Sequence, residues 1–166
     1  MQPLQSAPEI TVQALLRASR AFVGLTVRAL AQVETDVTLP QLRALVVLAS
    51  RGSLRSADIA DELQVNPSTG TRMTDRLVAK GLVRRVRSTD DRRVVRLRLT
   101  RAGQEIVERV MAQRRAALER IVAETAGVWQ PAVTEALTAF AEAAGEMPEQ
   151  EWWLGWAGNA EGADEV

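Results

Sequence analysis

Apolar residues recur every three or four positions along the first part of the chain, which is the spacing that places side chains on one face of an α-helix. Pro8 is suited to a first helical turn, and the pattern breaks at residues 35–38. The sequence therefore predicts one long amphipathic helix, whose apolar face is formed by Ile10, Ala14, Ala18, Phe22, Leu25, Ala29 and Val33.

Start and stop signals divide the next segment into three shorter helices. Thr38 with Gln41 three residues later matches a capping box, and Gly52 ends the helix that it begins. A short helix is predicted over 56–63, followed by a tight connection at 64–65. Asn66 as N-cap and Pro67 at the first position begin another helix, which runs to Lys80. Gly81 ends it, because glycine accepts the left-handed conformation that a helix C-terminus often needs.

The periodicity changes after Gly81. Apolar and basic residues alternate in two runs, which favours strands, and the polar cluster at 88–91 between them predicts a hairpin over 82–99. The apolar members are Val83, Val86, Val95, Leu97 and Leu99, and the interleaved arginines are Arg84, Arg85, Arg87, Arg96 and Arg98.

Two helices and a tail complete the chain. Thr100 can cap a long helix that ends at Gly127, and Pro131 opens a final helix that ends at Gly145. The face of the long helix is formed by Ile106, Val107, Val110, Met111, Leu118, Ile121 and Val122, and the last helix carries Val133, Leu137 and Phe140. An acidic tail then contains Trp152, Trp153 and Trp156. We expect this tail to dock on the dimerisation helices, and the alternatives are that it lines a pocket or binds another protein.

These elements predict a mainly α fold with a small β-hairpin wing, that is, a winged helix-turn-helix with N- and C-terminal dimerisation helices. We expect a helical dimerisation lobe over 1–36 and 101–145, a winged lobe over 37–100, and an acidic tail over 146–166. The apolar faces of the two long helices are too extensive for the small winged lobe to cover, which favours a dimer.

Charge is segregated along the chain although its formal net value is zero. Residues 1–50 carry 4 basic and 3 acidic side chains, residues 51–101 carry 13 and 6, and residues 102–166 carry 4 and 12. A basic middle segment is typical of a nucleic-acid-binding protein, although a solvated charged surface gives the same pattern.

Composition argues against catalysis and metal binding. The chain has no cysteine and no histidine, so thiol chemistry, the commonest metal ligands and the commonest general base are missing. We therefore expect a protein that is not an enzyme and has no metal or cofactor. The sequence has no secretion leader and no run of eighteen apolar residues, so we expect a cytoplasmic protein without a membrane partner.

The helix 67–80 meets the requirement for a DNA-reading helix, which is one apolar face and one polar face. Gly70, Met73 and Leu77 are expected to pack on the preceding helix, with Gly70 either packing closely or merely tolerated. The open face is formed by Ser68, Thr69, Thr71, Arg72, Asp75 and Arg76. Hydroxyls and arginines there can bond phosphates or base edges, and an ion pair is an equal alternative for Arg76. Asp75 would repel phosphate, so we expect it to orient Arg72 or Arg76.

The hairpin tip places Asp90 and Asp91 beside Arg92 and Arg93. Asp91 can hold one guanidinium rigidly by bidentate pairing, so that the arginine enters the narrow minor groove of DNA with less entropy lost. A solvated turn of mixed charge is the alternative interpretation.

Five segments together resemble the MarR family of bacterial transcription regulators. They are LPQLRAL at 39–45, IADEL at 59–63, PSTGTR at 67–72, DRLVAKGLV at 75–83, and DRR at 91–93 leading to LRLTRAG at 97–103. The D-x-R element followed by L-x-L-T-x-x-G is the most specific part, and the resemblance covers residues 9 to about 145.

The resemblance implies a homodimer that binds an inverted-repeat operator, with Arg93 as the wing arginine and Asp91 as its partner. It also implies that a small phenolic or aromatic ligand can bind between the two lobes. A repressor of transcription, binding double-stranded DNA, is the function that we expect. The alternative from another class is a helical interaction module whose basic hairpin binds an acidic partner, which duplex DNA would then fail to displace.

Overall fold

The computed structural model describes residues 7–87, 94–147 and 152 of the chain. Six α-helices and one two-stranded hairpin occur in this part. They are α1 (Ala7–Gln32), α2 (Leu39–Arg51), α3 (Ser56–Glu62), α4 (Pro67–Ala79), β1 (Val83–Arg87), β2 (Val95–Leu99), α5 (Arg101–Glu124) and α6 (Pro131–Ala143), with a short 3-10 turn at Ala126–Val128 between α5 and α6. The predicted order and class of the elements are confirmed.

The helix boundaries follow from the residues that begin and end them. At the start of α2, the Thr38 N–H donates to Gln41 Oε1 over 3.1 Å, which is half of a capping box. At the start of α5, Thr100 Oγ1 accepts from the Gly103 N–H over 3.2 Å. Gly52 and Gly81 both have positive φ, at 77° and 71°, as the ends of α2 and α4 require.

One predicted helix start is confirmed and one predicted helix end is wrong. Asn66 is the N-cap residue of α4, as predicted; its backbone oxygen accepts from the N–H groups of Thr69 and Gly70, and its side chain makes no capping bond. The long helix α5 ends at Glu124 rather than at Gly127. The Thr125 hydroxyl donates to the Ile121 oxygen over 2.6 Å, so a side-chain bond takes one of the last carbonyls as the helix ends.

The hairpin strands pair antiparallel, with Val83 opposite Leu99 and Arg87 opposite Val95. An isolated bridge beside the hairpin was not predicted. Leu54 and Leu97 exchange two backbone hydrogen bonds, at 3.2 Å and 2.6 Å, so the α2–α3 connection extends the wing sheet by one residue. This pairing ties the segment before α3 to the base of the hairpin.

One core lies where α2, α4, the hairpin and the first half of α5 meet. Its members also come from the last turn of α1, the connection that follows it, and α3. They include Ala29, Val33, Val37, Leu42, Leu45, Leu48, Ile59, Leu77, Val83, Leu97, Ile106, Val107 and Val110. The predicted apolar faces of α1 and α5 are buried only toward this core. Beyond it, Ile10 and Phe22 of α1 and Ile121 and Val122 of α5 are exposed by 40% or more.

The helix α6 contains no buried residue although it carries an apolar face. Val133, Leu137 and Phe140 are 37%, 37% and 54% exposed. Trp152 of the tail, by contrast, is only 8% exposed. The C-terminal helical region of a single chain therefore leaves a large apolar surface uncovered.

The helix α1 is the one helix in the described part of the chain that is long and apolar enough to cross a membrane. This holds for Pro8–Gln32, with a mean hydropathy of 1.2 in its most apolar window. The criterion is one of length and composition only, and the core helix of a soluble protein meets it too. Leu25 and Ala29 of this helix are buried in the protein's own fold.

Candidate nucleic-acid interface

The helices α3 and α4 meet across a tight turn at Gln64, whose φ is 54°. The Val65 N–H donates to the Ala60 oxygen over 3.0 Å and closes this turn. A Cβ atom added at Gly70 would lie 2.6 Å from Ala60 Cβ, so the two helices approach more closely than any larger residue would permit. Close packing, rather than tolerance, therefore explains Gly70, and α3 serves as the brace for α4.

The polar face predicted for α4 is exposed throughout, at Ser68, Thr69, Thr71, Arg72, Asp75 and Arg76. Arg72 Nε donates to the Ser68 backbone oxygen over 3.3 Å, which holds the guanidinium along its own helix. The structure thus brings all five α4 residues of the predicted DNA-binding set onto one solvent-facing surface, together with Asp75.

The inner face of α4 includes a residue that sequence analysis missed. Thr74 is 2% exposed, and its hydroxyl donates to the Thr71 oxygen over 2.9 Å. Ser56 Oγ lies 3.3 Å from both Thr74 Oγ1 and Thr71 Oγ1, so three hydroxyls join the start of α3 to α4. The spacing of Gly70, Thr74 and Leu77 is that of a single helix face and could have identified Thr74 as buried.

Asp75 has a different partner from the one predicted. Its Oδ1 accepts a hydrogen bond of 2.6 Å from Arg85 Nη2 on β1, and not from Arg72 or Arg76. The expectation that Asp75 orients an arginine is right in kind, but the pairing crosses from the helix to the wing. Helical spacing could not show this, because Arg85 comes from the following strand.

The hairpin presents basic side chains on its outer surface while its apolar residues anchor it. Val83 and Leu97 are buried, and Arg84, Arg85 and Arg87 are exposed. Arg96 is half-buried, and its Nη1 donates to the Ser53 oxygen over 3.1 Å. Asp91, Arg92 and Arg93, which sequence analysis placed at the wing tip, lie outside the described residues.

The base of the wing is locked to the start of α5. Thr100 Oγ1 donates to the Gly81 oxygen over 2.7 Å, and the Thr100 N–H donates to the Leu82 oxygen over 3.0 Å. A Cβ atom at Gly103 would overlap the carbonyl oxygen of Leu82, so only glycine fits there. The end of α4, the hairpin and α5 are therefore held as one unit.

An ion pair at the start of α3 perturbs one carboxyl group. Arg55 donates to Asp58 through Nη2 at 2.6 Å and through Nε at 3.0 Å and 3.1 Å. These side-chain hydrogen bonds hold the pKa of Asp58 below its ordinary value, and a smaller effect in the same direction comes from the charge of Arg96. Asp58 also accepts from the Arg55 backbone N–H over 2.9 Å, which caps the helix.

A cavity of about 300 Å³ lies between α1 and α5. Two cations, Arg28 and Arg120, and one acid, Glu124, are at its wall, and the remaining lining is Leu25, Ala29, Gln32, Gln113, Ala116, Ala117 and Ile121. Within the described ranges, no group of three or more acidic side chains is arranged to hold a metal ion.

Similar proteins support the interpretation that the geometry suggests. A model described as the MarR family matches residues 37–95. The "HTH-type transcriptional repressor MdtR" of Bacillus subtilis is 36% identical over 118 residues, which are 70% of this chain and 76% of that protein.

Solved structures resemble the whole fold. RV1404 from Mycobacterium tuberculosis has a TM-score of 0.78 and 37% identity, over 87% of this chain and 99% of that one. NadR in complex with 4-hydroxyphenylacetate has a TM-score of 0.65 and 25% identity, over 86% and 98% of the two chains.

A braced helix with an open polar face, followed by a basic hairpin, defines a winged helix-turn-helix protein that binds DNA. The chain belongs to the MarR family. It is a DNA-binding regulator of transcription and not an enzyme.

Proposed function

We propose that the protein is a homodimeric repressor that binds an inverted-repeat operator, with α4 in the major groove and the hairpin 82–99 at the minor groove. The observation that carries this proposal is the polar face of α4, which is fully exposed beside the basic strand β1 while its opposite face is buried on α3. A major groove about 12 Å wide admits one such helix.

The proposed DNA contacts are of two kinds. Hydroxyls of Ser68, Thr69 and Thr71 are suited to phosphates near the start of α4, and Arg72 and Arg76 to guanine edges or phosphate. At the wing, the proposed contacts are Arg92 and Arg93, with Asp91 as the residue that orients Arg93; this part rests on the sequence motif.

Dimerisation is proposed because the helical lobe is incomplete in a single chain. The helix α6 has no buried residue, and large apolar side chains are exposed along most of α1 and at the end of α5. An apolar surface of this extent usually marks an interface, and a second copy offers a matching one. The proposed lobe comprises 1–36 and 101–145, with the winged lobe at 37–100.

The burial of Trp152 supports docking of the tail 146–166 against the protein.

A location in the cytoplasm, where a regulator meets DNA, is part of the same proposal. Repression is proposed because the similar protein MdtR of Bacillus subtilis is a transcriptional repressor.

A small aromatic acid is proposed as the ligand that relieves repression. The cavity between α1 and α5 combines an apolar wall with Arg28 and Arg120, which suit a carboxylate, and NadR was solved with 4-hydroxyphenylacetate. This cavity lies inside the proposed helical lobe rather than between the two lobes. Titration with 4-hydroxyphenylacetate should weaken DNA binding by the unaltered chain. The same titration should leave DNA binding by the Arg28→Met variant unchanged.

The proposal is tested by the salt dependence of duplex binding. Each phosphate that the protein neutralises contributes about −0.9 to the slope of log K against log salt, so a dimer with two basic segments should give a steep slope. Arg72→Ala should weaken a selected operator more than random DNA. A flat salt response would contradict DNA binding by this surface, and equal losses on both duplexes would make Arg72 a phosphate contact rather than a base contact.

A further inference from the structure

The helix α4, which is proposed to enter the major groove and is called the recognition helix below, has the only lysine of the chain as its C-cap residue. Lys80 is the one lysine among 21 basic residues, so every other cation is an arginine. Its ammonium lies 2.9 Å from the backbone oxygen of Asp36, 3.1 Å from Asp36 Oδ2 and 3.1 Å from Gln41 Oε1. These acceptors belong to the connection between α1 and α2 and to the first turn of α2, about forty residues away in sequence.

The donors of this ammonium are directed into the fold. A lysine carries three N–H donors; two of them bond the Asp36 backbone oxygen and Gln41 Oε1, and the ammonium forms an ion pair with the Asp36 carboxylate. The side chain is also only 24% exposed. Lys80 therefore differs from Arg72, Arg76 and Arg85, whose side chains are exposed and able to reach phosphate.

Gln41 extends the contact into the fold. It is 5% exposed, and its Oε1 accepts from the Thr38 N–H as well as from Lys80 Nζ, both over 3.1 Å. The end of α4 and the start of α2 thus share one acceptor. Val33 and Val37, on either side of Asp36, are each 5% exposed and belong to the core.

These contacts connect α4 to the segment that joins α1 to the winged lobe. The segment from Val33 to Thr38 is the covalent link between α1, a helix of the proposed dimer interface, and the winged lobe. A contact from the recognition helix to this link opposes rotation of the winged lobe relative to α1. Two recognition helices read an inverted repeat together only when their separation matches about one helical turn of DNA, roughly 34–36 Å.

We propose that Lys80 is a positioning residue, which holds α4 at a set orientation to α1 and thereby selects the spacing between the two half-sites. The inference rests on the proposed function, since it requires a dimer bound to two half-sites. It assigns Lys80 no contact with DNA.

The test compares Lys80→Met with the unaltered full-length chain, because methionine keeps an apolar stem and removes the ammonium. Four duplexes are titrated: the operator that the unaltered chain selects, two versions with the spacing changed by plus or minus one base pair, and a single half-site. Thermal unfolding of each variant is recorded in parallel.

The unaltered chain should prefer its own spacing by about tenfold or more, and Lys80→Met should reduce that preference to about threefold or less. Affinity for the single half-site should change by less than about twofold, since the reading face of α4 is intact. Asp36→Asn, which keeps the backbone acceptor, should give a smaller loss of preference in the same direction. Arg109→Met, which removes an exposed cation of α5, should leave the preference unchanged and serves as the charge-matched control.

Four outcomes would overturn the inference. Equal losses on all four duplexes would mean that Lys80 contacts DNA or only supports α4 itself. If Lys80→Met and Asp36→Asn lower the melting temperature but leave the spacing preference unchanged, Lys80 has only a structural role. An unaltered chain that binds a half-site without any spacing preference would refute the inference and leave DNA binding intact, whereas failure to bind any duplex would refute both proposals.

Discussion

Arg85 of the wing strand β1 donates a 2.6 Å hydrogen bond to the carboxylate of Asp75 on the recognition helix α4. The pair joins the two elements that are proposed to touch DNA, and both side chains are about half exposed, at 52% and 51%. An exposed pair of this kind contributes little to stability, typically about 0–1 kcal/mol. Its consequence should therefore be found in DNA binding rather than in folding.

Asp75→Asn should tighten binding to random duplex and lower the preference for the operator. Removal of a negative charge should tighten binding to random duplex, because phosphate repulsion falls. Loss of the link to Arg85 should lower the ratio of operator to random affinity by about three- to tenfold, as expected for roughly 1 kcal/mol of lost positioning. Titration of both duplexes measures this, with Asp61→Asn on α3 as the control of equal charge. A ratio that is unchanged in Asp75→Asn would show that the ion pair does not orient the wing.

Glycine-to-alanine substitutions should destabilise the protein more, the more closely the added Cβ atom approaches atoms that cannot move aside. Gly103→Ala should destabilise most, because its Cβ would overlap a backbone oxygen that cannot move aside. Gly70→Ala should cost about 1–3 kcal/mol from overpacking against Ala60, partly offset by the better helix propensity of alanine. Gly24→Ala is the control, since its nearest neighbour is the flexible Arg28 side chain at 3.4 Å.

Urea unfolding of the three glycine variants gives the required free energies. The expected order of stability is Gly24→Ala, then Gly70→Ala, then Gly103→Ala, and the first should equal or exceed the unaltered chain. Equal stability of Gly70→Ala and the unaltered chain would contradict the close packing of α3 on α4.

The Arg55–Asp58 pair should contribute a stability that depends on pH. Because the pKa of Asp58 is lowered in the folded chain, its contribution is present above the ordinary carboxyl pKa and is lost as the pH falls through the folded value. Asp58→Asn should therefore lower the melting temperature slightly near neutral pH, and the difference should vanish in acid. Thermal unfolding over a pH series measures this, and a difference that grows on acidification would have the wrong sign.

The wing prediction concerns Asp91 and Arg93 and rests on the sequence motif. Arg93→Ala should lose about 1–3 kcal/mol of operator binding, by analogy with a good base contact. Asp91→Ala should also weaken binding although it makes the surface more positive, because Arg93 would lose its partner. In a double-mutant cycle the two losses should not add. Tighter binding by Asp91→Ala, or simple additivity, would reduce the tip to a charged turn.

Local signals were sufficient to predict most of the fold. Caps and glycines, such as Thr38, Gly52, Gly81 and Thr100, act within one turn of the chain, so their effect can be inferred from sequence alone. The exposed face of α4 followed in the same way from helical spacing. The end of α5 was missed because a threonine side chain, rather than the later glycine, takes part in ending the helix.

Contacts between elements distant in sequence could not be predicted by these means. The bridge between Leu54 and Leu97, the pair of Asp75 with Arg85 and the contact of Lys80 with Asp36 all depend on how the helices and the hairpin are arranged in space. Periodicity reports which face of an element is buried, but not which residue of another element lies opposite. The uncovered face of α6 likewise became evident only once its neighbours were placed.

The most direct test of the central claim is selection of bound sequences from a random duplex pool by the unaltered chain, with the stoichiometry of the selected complex measured by sedimentation. The account predicts an inverted repeat whose half-sites are about one helical turn apart, bound by two chains, with enrichment lost in Arg72→Ala. Enrichment of a single asymmetric site bound by one chain, or no enrichment at all, would contradict it.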